Sequence, residues 1–147
     1  MEHELFFDGN LKEYSWSIKT GKEVANQIRE HPPAYLSGGK LEIKNNEESR
    51  FVALHVGIYW GLGVFIIKDF DKIHVMCDSK EMYEILIQQN KTKNQIIDDK
   101  IHFINQLVSH RNLKLEYHFI SQTKNIAAEH LSGKNKTHAS RDSRDFV

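Results

Sequence analysis

The sequence predicts an α/β fold, in which strands at the amino end give way to alternating helices and strands. Three observations predict it. The amino-terminal part alternates large and small residues in short runs punctuated by turn formers. From Asn45 onward apolar residues recur at helical spacing. The run Lys72-Ile73-His74-Val75-Met76-Cys77 is mostly apolar, ends in Asp78 and turns at once into a helix. This is how an α/β sheet delivers a carboxylate to its own carboxyl end.

Length and composition bound the reading. The 147 residues suit one domain, expected over 1–133, and such a chain buries roughly 70% of its unfolded surface without a staple. Residues 134–147 have almost no apolar side chains and are expected to form a disordered polar tail. With 39% hydrophobic and 27% charged residues the chain reads as an ordinary globule, and no run reaches the roughly 18 apolar residues of a membrane helix; no membrane partner is expected. The amino end, Met1-Glu2-His3-Glu4, lacks the pattern of a leader, so a cytoplasmic, intracellular location is expected. Cys77 is the only cysteine, which excludes an intrachain disulfide; in an apolar strand it reads as a small core residue. Lys+Arg and Asp+Glu are equal at 20 each, so a nucleic-acid-binding face would have to come from patches such as Lys91 and Lys93, or Lys134, Lys136, Arg141 and Arg144.

Taken in order, His3 to Asn10 reads as a first strand closed by Asp8-Gly9-Asn10. Tyr14 to Lys19 alternates as a second, joined to the first by a hairpin. Lys22 to Glu30 is expected as a short helical turn stopped by His31-Pro32-Pro33, and Tyr35 to Lys44 as a third strand bent at Gly38-Gly39. Asn45-Asn46-Glu47-Glu48 is a capped helix start. Phe51, Leu54, Ile58 and Leu62 form its buried face, and Gly57 and Gly61 allow close approach of another element. After Asp78, helices are expected over Ser79–Gln89 and Gln95–His110, a strand over Leu113–Ile120, and a last helix over Gln122–Leu131 ended by Gly133. No His pair has the local spacing of a zinc site beside an acid on a helix, and no such site is predicted.

The order of elements, with Phe7-Asp8-Gly9, Gly38-Gly39, Asn45-Asn46, Ala53-Leu54, Gly57-Ile58, Val75-Met76-Cys77-Asp78-Ser79 and Asn125-Ile126-Ala127-Ala128-Glu129-His130-Leu131-Ser132, resembles the ribonuclease H family over roughly Glu4 to Ser132. The resemblance implies a five-stranded mixed sheet, three antiparallel strands then two parallel, flanked by helices. It also implies hydrolysis of the RNA strand of an RNA–DNA hybrid with two Mg²⁺ or Mn²⁺ ions held by carboxylates. Carried over by residue, it makes Asp8 the bridging ligand, Asp78 a ligand of the first ion and Glu129, one methylene longer than the family's Asp, the last acid. Asn10, Asn46, Arg50, Ser79 and Asn125 become the contacts to nucleic acid.

The sequence departs from the family at the fourth acid. Alignment on Ala53-Leu54 and Gly57-Ile58 puts Arg50 where the family carries Glu. A guanidinium about 4 Å from a carboxylate contributes about 4 kcal/mol at an effective dielectric of 20 and competes with a cation. Glu47 or Glu48, in the same helix start, could supply the missing ligand. The glycine-rich loop after the first acid is absent, and Ser121-Gln122-Thr123-Lys124 stands where the family has a His that assists product release. Two functions are therefore open: a metal-dependent endonuclease on hybrids, or a catalytically degenerate module that binds nucleic acid or a protein.

Overall fold

The structure, a computed structural model, describes residues 1–137. Five strands form one sheet, ordered β3-β2-β1-β4-β5: β1 (Glu2–Gly9), β2 (Glu13–Thr20), β3 (Glu23–Glu30), β4 (Lys72–Cys77) and β5 (Lys114–Phe119). The first three are antiparallel, whereas β4 runs parallel to β1 and β5 parallel to β4. The helices are α1 (Asn46–Gly63), α2 (Lys80–Gln88), α3 (Gln95–Arg111) and α4 (Ile126–Thr137). This is the mixed sheet that the resemblance implies.

One face of the sheet carries the main core. Leu5, Phe7, Trp16, Ile18, Ile73, Val75 and Cys77 pack against Phe51, Leu54, Ile58 and Leu62 of α1, with Ile97 and Ile104 of α3 closing the layer. The four α1 residues are those that the periodicity selects. A Cβ on Gly57 would stand 3.2 Å from Trp16 and one on Gly61 2.6 Å from Ile67, so both glycines let the helix lie close on its neighbours. Burial pushes the Cys77 thiol up to about 12, with Asp78 and Glu47 adding repulsion. On the opposite face, buried Ser15 and Ser17 leave room for α4, and Ser15 donates to the Ala127 carbonyl at 3.0 Å. No helix among the described residues is long and apolar enough to cross a membrane.

Three expectations need correction. The third strand is Glu23–Glu30, where a helical turn was expected. It is joined to β2 by a tight turn with Gly21 at φ +62°, the left-handed conformation that two-residue hairpins favour. None of its residues is buried, so the alternation that marks a strand in sequence is missing; pairing with β2 defines it instead. Tyr35–Lys44 is a loop entered through a 3₁₀ turn (Pro33–Tyr35) and closed on itself by Leu41 N–H to Ala34 (2.7 Å) and Ile43 N–H to Tyr35 (2.9 Å). Gly133 does not end α4, which continues to Thr137. The rest of the expected tail, 138–147, lies outside the described residues.

Candidate functional site

Two neighbouring parallel strands set the site. Phe6 pairs with Met76, and two residues further along each chain stand Asp8 and Asp78. With a side-chain period of two, both leave the carboxyl end of the sheet on the same face. Asp8 senses Asp78 electrostatically: burial raises its carboxyl above the usual range and the Asp78 charge adds to this, while Arg50 opposes.

The amino end of α1 forms the facing wall. Asn45 caps the helix by accepting from the Glu48 N–H at 2.9 Å. Gly9 brings the helix against β1, since a Cβ there would fall 2.2 Å from Ser49 Oγ. Ser49 is held in turn by buried His31, whose Nε2 lies 2.7 Å from its Oγ and 3.2 Å from the Asn10 carbonyl. His31 stacks on Tyr14 with ring centroids 4.7 Å apart. This brace, which the sequence signals only as a residue before Pro-Pro, fixes the turn of α1 that carries Arg50.

Arg50 faces Asp8, as the alignment on Ala53-Leu54 anticipates. Its Nε donates to Asp8 Oδ1 at 3.1 Å and its Nη1 lies 3.6 Å from Glu47 Oε1. Glu47 also accepts from the Ser79 hydroxyl, at 3.2 and 3.4 Å to its two oxygens. Burial raises the Glu47 carboxyl, and the charge of Glu81 adds to this against the pull of Ser79 and Arg50. Ser79 at once caps α2 by accepting from the Met82 N–H at 3.2 Å.

The two candidate replacement acids part company here. Glu48 is 4% exposed and belongs to a different network: its carboxylate accepts from the Lys44 N–H at 2.8 Å and from the side chain of Asn94, the cap of α3. Only Glu47 joins the Asp8 side of the helix.

Asn125, expected as a nucleic-acid contact, is 1% exposed. Its amide nitrogen donates to the Phe7 carbonyl and to Asp78 Oδ2, each at 2.9 Å, and its oxygen accepts from the N–H groups of Ala127 and Ala128. It is a bracket between β1, the end of β4 and α4, with its polar atoms turned inward. Glu129 sits in the first turn of α4, exposed, and among the described residues no contact joins its carboxylate to Asp8 or Asp78. Asn46 is exposed at the start of α1. The Asn10 side-chain oxygen accepts from the Lys12 and Glu13 N–H groups and shapes the β1–β2 turn.

The donor chemistry of the acids suits a hard ion, which takes several oxygens, but a fixed cation already stands among them. Among the described residues, the carboxylates at this end of the sheet do not bring three ligand atoms within 4.8 Å of one another. Arg50 stands between Asp8 and Glu47 as a fixed positive charge.

Comparison with known proteins decides the lineage. A family model described as reverse transcriptase-like matches residues 10–135. The chain belongs to this reverse transcriptase-like, ribonuclease H-like family. The family's fold is shared with ribonuclease H1 from the halophilic archaeon Halobacterium salinarum NRC-1, at TM-score 0.70 and 15% identity over 94% of this chain and 99% of the other. It is shared too with the N-terminal ribonuclease H domain of rv2228c from Mycobacterium tuberculosis, studied as a fusion with maltose-binding protein (TM-score 0.68, 16% identity, 89% of this chain and 95% of that one). A third relative in fold, LC11 ribonuclease H1, was solved in complex with an RNA/DNA hybrid (TM-score 0.58, 14% identity, 87% and 91% covered). No curated protein matches the chain in sequence.

Proposed function

We propose that this member of the family binds RNA–DNA hybrid at the carboxyl end of β1 and β4, and that metal-dependent cleavage of the RNA strand is suppressed by Arg50. The observation that carries this reading is the 3.1 Å bond from Arg50 to Asp8. A guanidinium has five N–H donors, so one bonded to Asp8 and set beside Glu47 retains others for a phosphate oxygen. It supplies at a fixed point the positive charge that would otherwise come from an ion, and so favours holding a phosphodiester over hydrolysing it.

The surroundings support a nucleic-acid partner. Exposed Lys12, Lys44, Lys80 and Lys124 lie in or next to the segments that leave β1, β4 and β5 or enter α1, and so rim the acid cluster; Glu81 and Glu129 are interleaved with them. Phosphate contacts of this kind dominate affinity and make it salt-dependent. The hybrid bound by LC11 ribonuclease H1 supports the choice of ligand.

A second reading, a competent Mg²⁺- or Mn²⁺-dependent endonuclease, is favoured by a separate observation. Asp8 and Glu47 both sit above the usual carboxylate range from burial even with Arg50 beside them, so a further cation would stabilise their charged forms. In that reading Arg50 leaves Asp8 when hybrid arrives.

One experiment separates the two: hybrid binding by fluorescence anisotropy against salt, and cleavage in Mg²⁺ and Mn²⁺, for the native chain, Arg50→Glu and Asp78→Asn. The expected result is salt-dependent binding by the native chain with little cleavage, and at least a ~10-fold gain of cleavage in Arg50→Glu, about 1.4 kcal/mol of barrier. Rapid cleavage by the native chain that Asp78→Asn abolishes establishes the second reading. Failure to bind hybrid at low salt overturns both.

A further inference from the structure

A separate group of ligands lies further back along β4 and β5. His74 pairs with Glu116 across these parallel strands, and His118 pairs with Met76. Because side chains alternate, His74, Glu116 and His118 share one face of the sheet. His74 Nδ1 and His118 Nε2 stand 2.9 Å apart, with ring centroids at 5.0 Å. Glu116 places Oε1 3.9 Å from His74 Nδ1 and Oε2 3.7 Å from His118 Nε2. One ligand atom from each residue falls within 4.8 Å of the other two.

The tautomer of neutral His74 is set by its far side. Nε2 lies 2.6 Å from Glu2 Oε1. That oxygen belongs to a carboxylate, which accepts the bond. The proton of neutral His74 therefore sits on Nε2, and the bare lone pair of Nδ1 is aimed at His118. A carboxylate bound to the outer nitrogen is how metal-ligating imidazoles are oriented and made more basic. Two imidazole nitrogens on one tetrahedral zinc at about 2.0–2.1 Å each stand about 3.3–3.4 Å apart. Admitting an ion thus needs the rings to part by about half an ångström and His118 to carry its proton on Nδ1, not on the Nε2 that donates to His74.

We propose that His74, His118 and Glu116 form a transition-metal site that takes Zn²⁺ through two nitrogens and one oxygen, with Glu2 orienting His74 and a fourth position open to water. Two imidazoles and one carboxylate suit zinc over magnesium or manganese, which prefer oxygen. Lys72 is the charge that opposes the ion: its Nζ lies 2.9 Å from Glu116 Oε1, which leaves Oε2 as the donor. Glu4, opposite His74 on β1, is a further acid on this face. His74 precedes Asp78 by four residues on one extended segment, roughly 13 Å at the rise of a strand, so the site is distinct from the acid cluster and does not rest on the function proposed there. It would clamp β1, β4 and β5 together through Glu2, His74 and the β5 pair.

The test is titration of the full chain with Co²⁺, followed in the visible absorption bands, then displacement by Zn²⁺. The expected result is one equivalent with the intense bands of four- or five-coordinate cobalt, lost in His118→Ala, weakened ~10-fold or more in Glu2→Gln, and kept in Asp78→Asn. Weak octahedral bands alone, or binding that survives the His74→Ala/His118→Ala double variant, overturn the proposal. Should the alanine variants fail to fold, the native chain decides: Zn²⁺ must shift the ring ¹⁵N resonances of His74 and His118 and leave those of His3 and His31 in place. Unmoved resonances overturn it.

Discussion

The amide nitrogen of Asn125 is shared between the Phe7 carbonyl and the Asp78 carboxylate, 2.9 Å from each. The same side chain caps α4 through its oxygen. One residue therefore ties the acid of β4 to the strand that carries the other acid. Asn125→Ala leaves a buried carbonyl without its donor and removes a helix cap, at about 1–3 kcal/mol for the first and about 1 kcal/mol for the second. Urea unfolding is expected to show a loss of about 2–4 kcal/mol at unchanged slope.

Glu47 and Glu48 are adjacent but should respond oppositely. Glu48→Ala strands the Lys44 N–H and the Asn94 side chain that the buried carboxylate satisfies, a loss expected at about 2–3 kcal/mol. Glu47→Ala removes a desolvated acid held off its usual range and should leave stability within about 1 kcal/mol of the native chain. Thermal unfolding of the two variants in parallel checks this, and equal losses would refute the assignment of Glu48 to the Lys44–Asn94 network.

Gly9→Ala is expected to be costly for a single methyl group. The new Cβ would meet Ser49 Oγ at 2.2 Å and its backbone carbonyl carbon at 2.9 Å, so rotating the hydroxyl away does not relieve it. Overpacking of this kind costs about 1–3 kcal/mol. The strain falls on the turn that carries Arg50, so the Asp8 carboxyl should titrate differently in ¹³C NMR, which a purely distant destabilisation would not produce.

His55 makes stability sensitive to acid. It stacks on Phe103 with centroids 5.5 Å apart, and its Nδ1 is buried without a partner among the described residues. Burial, with Lys100 adding repulsion, lowers it from 6.5 to about 4. Between these values the unfolded chain binds the extra proton, so the contribution of neutral His55 is present above pH 6.5 and lost as pH falls towards 4. His31 is depressed in the same direction by burial. Replacing His55 with Leu should flatten the fall in unfolding free energy between neutral pH and pH 4, by up to about 3 kcal/mol, and an unchanged slope would refute the account.

What the sequence makes legible follows from burial. α1 and β4 bury regular faces, so Phe51, Leu54, Ile58 and Leu62, and the strand ending at Asp78, are readable from period alone. β3 has no fully buried residue and carries no such signal; its strand character comes from β2 beside it. The sequence left Glu47 and Glu48 as alternatives because both lie in the first turn of α1. Contacts with Asn94 and Ser79, distant in the chain, separate them. His74 and His118 are 44 residues apart, so a search for local ligand spacing passes over them, and parallel pairing alone brings them together. Asn125 reads as a contact to nucleic acid because the sequence does not show how far α4 is drawn against β1.

Cys77 has a practical consequence. The chain's one thiol is fully buried in β4 and held up at about 12, and the thiolate is the reactive form. A thiol reagent can therefore reach it only when β4 comes away from its neighbours. Labelling under native conditions then reads how often the central sheet opens, in an unmodified protein and with no probe to introduce. Compared with and without Zn²⁺, the labelling rate measures how firmly a clamp across β1, β4 and β5 keeps the sheet closed.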